Sequence, residues 1–388
     1  MRLKDELKVH IPLFTLTRLL ENTLFRMVYP FLPLISRGLG VDFTRTARAL
    51  SLRSLTGIFG TLLASAGDSR GRKQSMLLGL SLFIAGLIVV IFWPTFTGFV
   101  VMLVLTSIGK MVFDPSMQAF LGDRVPYQRR GFVLAMTELS WSGAFFLGVP
   151  LCGFLIARRG WLAPFPLLAA SLVAAFLLLL WALPGDPPPQ LERRSVLSNF
   201  AAVAGSGAAV AGLALTFFIS VANEMVNLVF GVWLEGSFGL QAAAIGGAAA
   251  VIGLSELGGE GLVGLVSDRI GVKRSVALGV VGTIIAALLL PWLGHSVPGA
   301  LAGLFLFYLA FEFTFVSCIP LMSEVLPGAR ATLMAANMAL AFLGRAAAAW
   351  LGPLVYACGF TSSALAAGAI NLLALFVLRF VRLAGEGE

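Results

Sequence analysis

The chain predicts an all-α integral membrane protein of twelve transmembrane helices, on three observations. Of 388 residues, 59% are hydrophobic and only 12% charged, about half the charged share of a soluble domain. The apolar residues gather into twelve runs, each near the ~20 residues that a helix needs to cross the hydrocarbon layer. The basic residues are sorted between alternate connections, as the positive-inside bias requires.

The first six runs cover 12–36, 44–66, 75–94, 97–121, 131–157 and 161–183, and the second six cover 205–234, 241–266, 275–294, 297–321, 331–357 and 359–380. The stretch before the first run carries Arg2, Lys4 and Lys8 but no short apolar segment with a small-residue cleavage site. No removable signal peptide is therefore expected. With the N-terminus in the cytoplasm, the inner connections hold Arg70, Arg72, Lys73, Arg124, Arg129, Arg130, Arg193, Arg194, Arg269, Lys273, Arg274, Arg330, Arg379 and Arg382 as well, 17 of the 27 basic residues. Both termini are placed in the cytoplasm, in a cell (inner) membrane protein that crosses the bilayer many times. The net charge of +8 is then a topology signal and calls for no nucleic-acid partner. Cys152, Cys318 and Cys358 show no paired spacing and read as small packing residues.

The Pro-rich segment from Pro184 to Arg194 divides the chain near its middle. It predicts two six-helix bundles, residues 1–183 and 205–388, joined by a cytoplasmic linker at 184–204. The halves repeat. Asp68-Ser-Arg-Gly71-Arg72-Lys73 follows the second span, and Asp268-Arg269-Ile-Gly271-Val-Lys273-Arg274 follows the eighth, 200 residues on. Asp123-Arg-Val-Pro126 after the fourth span is matched by Glu324-Val-Leu-Pro327 after the tenth, 201 residues on. Duplicated units of this kind are a known transporter architecture.

These paired loops resemble the hallmark of the major facilitator superfamily, G-x-x-x-D-R-x-G-R-R/K between spans two and three. The second copy, Gly264-x-x-x-Asp268-Arg269-x-Gly271, is the closer one; the first keeps Asp68, Gly71, Arg72 and Lys73 but has Ala64 and Ser69 where the motif has Gly and Arg. The resemblance covers the whole chain. It implies a major facilitator fold of two pseudo-symmetric bundles, and a conformational latch built from Asp68, Gly71, Arg72, Asp123, Asp268, Arg269 and Gly271. Lys110 lies about where many family antiporters carry an Arg in span four. Gly143 and Gly148-Val-Pro150-Leu-Cys-Gly153 approximate the Gly-Pro motif of span five in drug:proton antiporters. The chain is similar to bacterial drug-efflux and sugar-efflux permeases.

Ionisable residues inside spans are costly and mark functional sites. Arg18, Glu21, Asn22, Phe25, Arg26 and Tyr29 share one face of the first span, and Ser220, Asn223, Glu224 and Asn227 share one face of the seventh. Counted from the cytoplasmic ends, Arg26, Arg53, Lys110 and Arg345 lie roughly 16 to 21 Å deep. Glu21, Asn22, Arg26, Arg53, Lys110, Asn223, Glu224, Asn227 and Arg345 are the expected substrate-cavity residues. The first half embeds Arg18, Arg26, Arg53 and Lys110 with Glu21, Asp114 and Glu138, and the second embeds Arg345 with Glu224, Glu256, Glu260 and Glu312. These charges read either as gates and substrate ligands or as pairs within a half, such as Lys110–Asp114 or Arg18–Glu21. Proton coupling needs a carboxylate that gains and loses its proton at working pH, and burial disfavours the charged form. Glu224, Glu256, Glu312 and Glu138 are the expected coupling residues.

The sequence holds no H-E-x-x-H, no G-x-S-x-G and no phosphate-cradling loop ending in Lys. A transporter is expected rather than an enzyme, with a small-molecule substrate, protons and the lipid bilayer as partners, no cofactor, no metal and a monomeric state. Two substrate readings stand: amphipathic, drug-like compounds exported against protons, or an organic anion, zwitterion or lysolipid held by the basic first half.

Overall fold

A computed structural model describes residues 3–59, 71–125, 127–185 and 196–383. The first half begins with α1 (Leu3–Gly38), α2 (Phe43–Ile58), α3 (Arg72–Phe92) and α4 (Phe96–Arg124). It continues through α5 (Tyr127–Gly143), a π-helical segment (Ala144–Gly148), α6 (Val149–Arg159) and α7 (Pro164–Ala182). Then come α8 (Val196–Gly205), α9 (Gly207–Asn227), α10 (Phe230–Phe238), α11 (Ala242–Ile270), α12 (Val272–Leu293), α13 (Val297–Val325), α14 (Arg330–Tyr356) and α15 (Phe360–Leu378). Among the described residues, ten helical stretches are long and apolar enough to cross a membrane, with α5 and α9 each counted together with the helix that continues it. α1 and α2 take the places of the first two expected spans. α1 falls outside that set because its middle is charged, and α2 is described only as far as residue 59.

Local chemistry explains where these helices start and bend. Asp42, Thr95, Ser206 and Ser296 each accept a hydrogen bond from the backbone N–H three residues on, so α2, α4, α9 and α13 begin on side-chain caps. Gly71 (φ 96°) and Gly271 (φ 87°) precede α3 and α12 in a backbone region that is open almost only to glycine. The π segment ends just before Pro150, which has no N–H to give and whose ring crowds the carbonyl four residues back, that of Phe146. The surplus residue of the π turn relieves that crowding, and such segments frequently mark functional sites. α9 breaks after Asn227, at the end of its polar stripe, and the chain resumes as α10. Residues 196–204, expected within the linker, belong to α8 because Val196–Gly205 is itself an apolar helix-forming run.

Contacts gather the chain into two compact units, Met1–Glu192 with Gln241–Gly253, and Arg193–Leu240 with Leu254–Glu388. Inside each unit the repeat is visible atom by atom. Lys73 Nζ donates to the Leu183 carbonyl (2.6 Å) beyond the end of α7, and Lys273 Nζ donates to the Val381 carbonyl (2.5 Å) beyond the end of α15. Gly79 lets α3 approach the backbone of α4 at Gly109 and Phe113. Its counterpart Gly279 lets α12 approach α13 at Phe313 and Thr314. Both glycine–phenylalanine pairs are offset by 200 residues.

Candidate functional site

In the first unit the polar stripe of α1 faces inward. Arg18, Glu21, Asn22 and Arg26 are all buried. The helix propagates past three internal prolines, of which Pro30 and Pro33 lie just beyond the stripe. Each removes one i→i−4 bond and leaves a carbonyl, at Arg26 and Tyr29, without its helical donor.

Arg18 is the centre of a charged cluster. Its Nε donates to Asp114 Oδ1 (3.1 Å), its Nη1 to Glu138 Oε1 (2.7 Å) and its Nη2 to Glu138 Oε2 (3.1 Å). The fork on Glu138 is bidentate, the strongest arrangement a guanidinium offers a carboxylate. Gln118 Nε2 adds a bond to Glu138 Oε1 (3.3 Å). Lys110 Nζ stands 2.8 Å from Asp114 Oδ2, one helical turn away on α4. That contact is a close ion pair between largely buried groups. The intrahelical pair Lys110–Asp114 therefore forms, whereas Arg18 turns to α4 and α5 rather than to Glu21 on its own helix. Glu21 is fully buried, and among the described residues neither of its carboxyl oxygens has a hydrogen-bond partner. The charges that act on it are those of Lys110, Asp114 and Arg18. Asn22 Nδ2 donates to Ser140 Oγ (3.1 Å), and its Oδ1 has no partner.

Farther along α1 the bases meet aromatic faces. Arg26 lies 3.5 Å from the Phe145 ring centre and 4.4 Å from that of Trp141, and its Nη1 donates to the Trp141 carbonyl (3.0 Å). Phe145 belongs to the π segment, so the irregular turn presents it to Arg26. Arg53 of α2 donates from Nη1 to the Phe25 carbonyl (2.9 Å) and packs against the rings of Phe25 (4.6 Å) and Tyr29 (5.0 Å). A desolvated cation on a ring face gains up to about 2 kcal/mol. Among the described residues, no carboxylate pairs with Arg53.

In the second unit the stripe of α9 is also buried. Asn227 Nδ2 donates to Glu224 Oε2 (3.2 Å), and Tyr308 Oη donates to Asn227 Oδ1 (2.9 Å). Ser220 Oγ and Asn223 Oδ1 are buried without hydrogen-bond partners. Glu256 on α11 and Glu312 on α13 are buried as well, while Arg345 on α14 is half-buried. Thr216 Oγ1 donates to Asn337 Oδ1 (2.6 Å), tying α9 to α14. Asn337, Ser140 and Gln118 were not expected at the site. A polar amide inside an apolar run was the available signal for Asn337, and Ser140 lies two residues beyond Glu138, an expected coupling residue.

Of the expected latch residues, Arg72 Nε stands 3.5 Å from Asp123 Oδ2 at the rim of the first unit, a long contact between partly exposed groups. Gly71 and Gly271 hold the two equivalent turns, and Arg269 is exposed. Asp68 and the side chain of Asp268 lie outside the described residues.

A polytopic helical protein that buries charged and amide side chains at mid-span belongs to the class of membrane solute carriers. Comparison with known proteins fixes the family. The model of the Major Facilitator Superfamily matches residues 14–214 and again 212–387. The chain belongs to the Major Facilitator Superfamily, as a secondary transporter and not an enzyme. It is similar to the uncharacterized MFS-type transporter YwfA of Bacillus subtilis strain 168, with 27% identity over 91% of this chain and 86% of that protein. YbcL of the same strain, also an uncharacterized MFS-type transporter, shares 23% over 79% of this chain and 80% of that protein. Among solved structures, a D-xylose–proton symporter superposes with a TM-score of 0.80 at 19% identity, covering 96% of this chain and 97% of that one. The human organic anion transporter MFSD10 superposes with 0.68 at 22% identity, covering 96% and 99%. At these identities the structural matches carry the fold alone.

Proposed function

We propose that this transporter couples solute movement to protons, and that it exports amphipathic, drug-like compounds from the cytoplasm by alternating access, both termini lying inside the cell. One observation carries the coupling: the charged cluster of the first unit sets three carboxylates (Glu21, Asp114 and Glu138) against two bases (Arg18 and Lys110). Such a cluster is neutral only with one proton added, and a buried site of low dielectric penalises any uncompensated charge. A proton that enters and leaves the cluster changes its charge by one, which is the differential interaction that a population shift requires. The aromatic rings around Arg26 and Arg53, of which Phe25, Tyr29 and Phe145 are buried in this conformation, would give apolar surface to the body of an amphipathic solute once the site opens.

A second substrate reading rests on Arg53. A buried guanidinium held by a carbonyl and two ring faces, with no carboxylate among the described residues, suits the anionic group of an organic acid. The two readings separate in proteoliposomes. With an outward-directed solute gradient, ethidium represents the lipophilic cations and salicylate the aromatic acids. Solute-dependent proton flux with ethidium alone supports drug export, and flux with salicylate alone supports the anion carrier. Proton flux with neither, beside normal exchange of a solute, refutes the coupling.

A further inference from the structure

The excess of one carboxylate over base in the Arg18 cluster does not itself say which acid holds the proton; the geometry does. Asp114 is engaged by two bases, Arg18 at 3.1 Å and Lys110 at 2.8 Å. Glu138 receives both arms of Arg18 and the amide of Gln118, and its side chain is about half exposed. Glu21 is fully buried, and both its oxygens lack any donor. An ionised carboxylate in that position would be stripped of water with no hydrogen bond in return, a far greater penalty than a neutral acid suffers.

We infer that Glu21 is the group that carries the transported proton, and that Lys110 is a base shared in turn between Asp114 and Glu21. The inference rests on the proton-coupled reading above and names its residue. In the conformation described here Glu21 is a neutral carboxylic acid, and Lys110 lies against Asp114. On release, the Glu21 O–H bond breaks and the proton passes to water admitted to the site. The resulting carboxylate then draws the Lys110 ammonium away from Asp114, which keeps its bond to Arg18. Lys110 stays protonated throughout, so the net change is one proton lost. Asp114 keeps a cation through that movement, since Arg18 Nε stays 3.1 Å from its Oδ1.

The charged surroundings of Glu21 are accounted for helix by helix. α1 contributes Arg18, and Arg26 beyond it; α4 contributes Lys110 and Asp114; α5 contributes Glu138 through Arg18. α2 brings Arg53 onto Phe25, one turn along α1. α7 and the π segment carry no charged side chain, and the Arg158 and Arg159 of α6 sit at its far end. Lys110 is thus the base best placed to follow Glu21 through a change of charge.

The test needs no knowledge of the substrate. Infrared difference spectra of the full-length protein in lipid, taken between acid and alkaline pH, report buried carboxylic acids through their C=O stretch. A carboxyl free of hydrogen bonds absorbs at the high-frequency end of that range. The wild type should show such a band at acid pH and lose it at alkaline pH. The band should be absent from Glu21→Gln and present in E138Q and E224Q, and in Lys110→Gln it should persist to higher pH than in the wild type, because the base that follows the carboxylate is gone and Arg18 stays held by Asp114 and Glu138. A band that survives in E21Q, disappears in E224Q, or is missing from the wild type overturns the assignment. Flux measurements separate this from the coupling itself. A wild type indifferent to an imposed pH gradient refutes proton coupling whatever the band does. A gradient-driven wild type whose E21Q variant is still driven refutes Glu21 alone. The expected result is that E21Q loses gradient-driven accumulation while its unfolding midpoint shows that it is folded.

Discussion

Arg18 makes three hydrogen bonds to two carboxylates from a site that is 5% exposed, and its removal leaves Asp114 and Glu138 with one fewer cation between them. Breaking a buried pair by deleting one partner costs about 3 to 5 kcal/mol. The half-exposed Glu138 recovers water, so Asp114 sets most of the loss. Arg18→Met is expected to destabilise the first unit by about 3 kcal/mol, read as a lowered thermal unfolding midpoint in detergent, and R18K should recover part of it. An unchanged midpoint would show that the cluster is not structural. The stripe that bears Arg18 was legible in the sequence because six polar and aromatic residues fall at helical spacing. Its pairing was not. Periodicity gives the face of a helix but not what the face meets, and Glu138 lies 120 residues away on another element. For the same reason Glu21 read as a cavity residue and Glu138 as free to titrate, while the proposal above reverses those roles.

At the scale of the helix, close approach is bought with glycine. A Cβ on Gly79 would sit 2.6 Å from the Gly109 carbonyl oxygen and 2.8 Å from the Phe113 nitrogen, both backbone atoms that cannot turn aside. At Gly279 the nearest obstacle is the Thr314 hydroxyl, which can rotate, with Phe313 and the Thr314 backbone about 3.0 Å away. Gly79→Ala is therefore expected to cost about 1 to 3 kcal/mol by overpacking, and Gly279→Ala less, measured as the difference between their unfolding midpoints. Equal or reversed losses would contradict this account of the α3–α4 contact. The expected spans and the helices observed agree closely, since long apolar runs set both. What the runs did not show were the irregularities. The Gly148-Val-Pro150 pattern pointed to a special segment but not to a π turn that aims Phe145 at Arg26. The break after Asn227 had only Gly231, a few residues on, as its signal.

Across the whole molecule, duplication is the organising fact. It was legible in the paired loops, and Lys73 and Lys273 now repeat it as hydrogen bonds to the ends of α7 and α15. The latch assigned to those loops is a proposal that the Arg72–Asp123 contact can test. Its groups are 29% and 58% exposed, so as a stabilising pair it is worth little, within about 1 kcal/mol. Asp123→Asn is expected to leave the unfolding midpoint nearly unchanged and yet to slow transport, because a latch acts on the balance between conformations rather than on folding. Normal transport by D123N, or by D68N, would remove the latch. Transport itself follows from the family. Its coupling rests on the single surplus carboxylate in the Arg18 cluster, so the most direct measurement is solute accumulation in proteoliposomes under an imposed pH gradient, with and without a protonophore. The account predicts accumulation that follows the gradient and collapses when the protonophore is added; accumulation that proceeds equally with no gradient would contradict it.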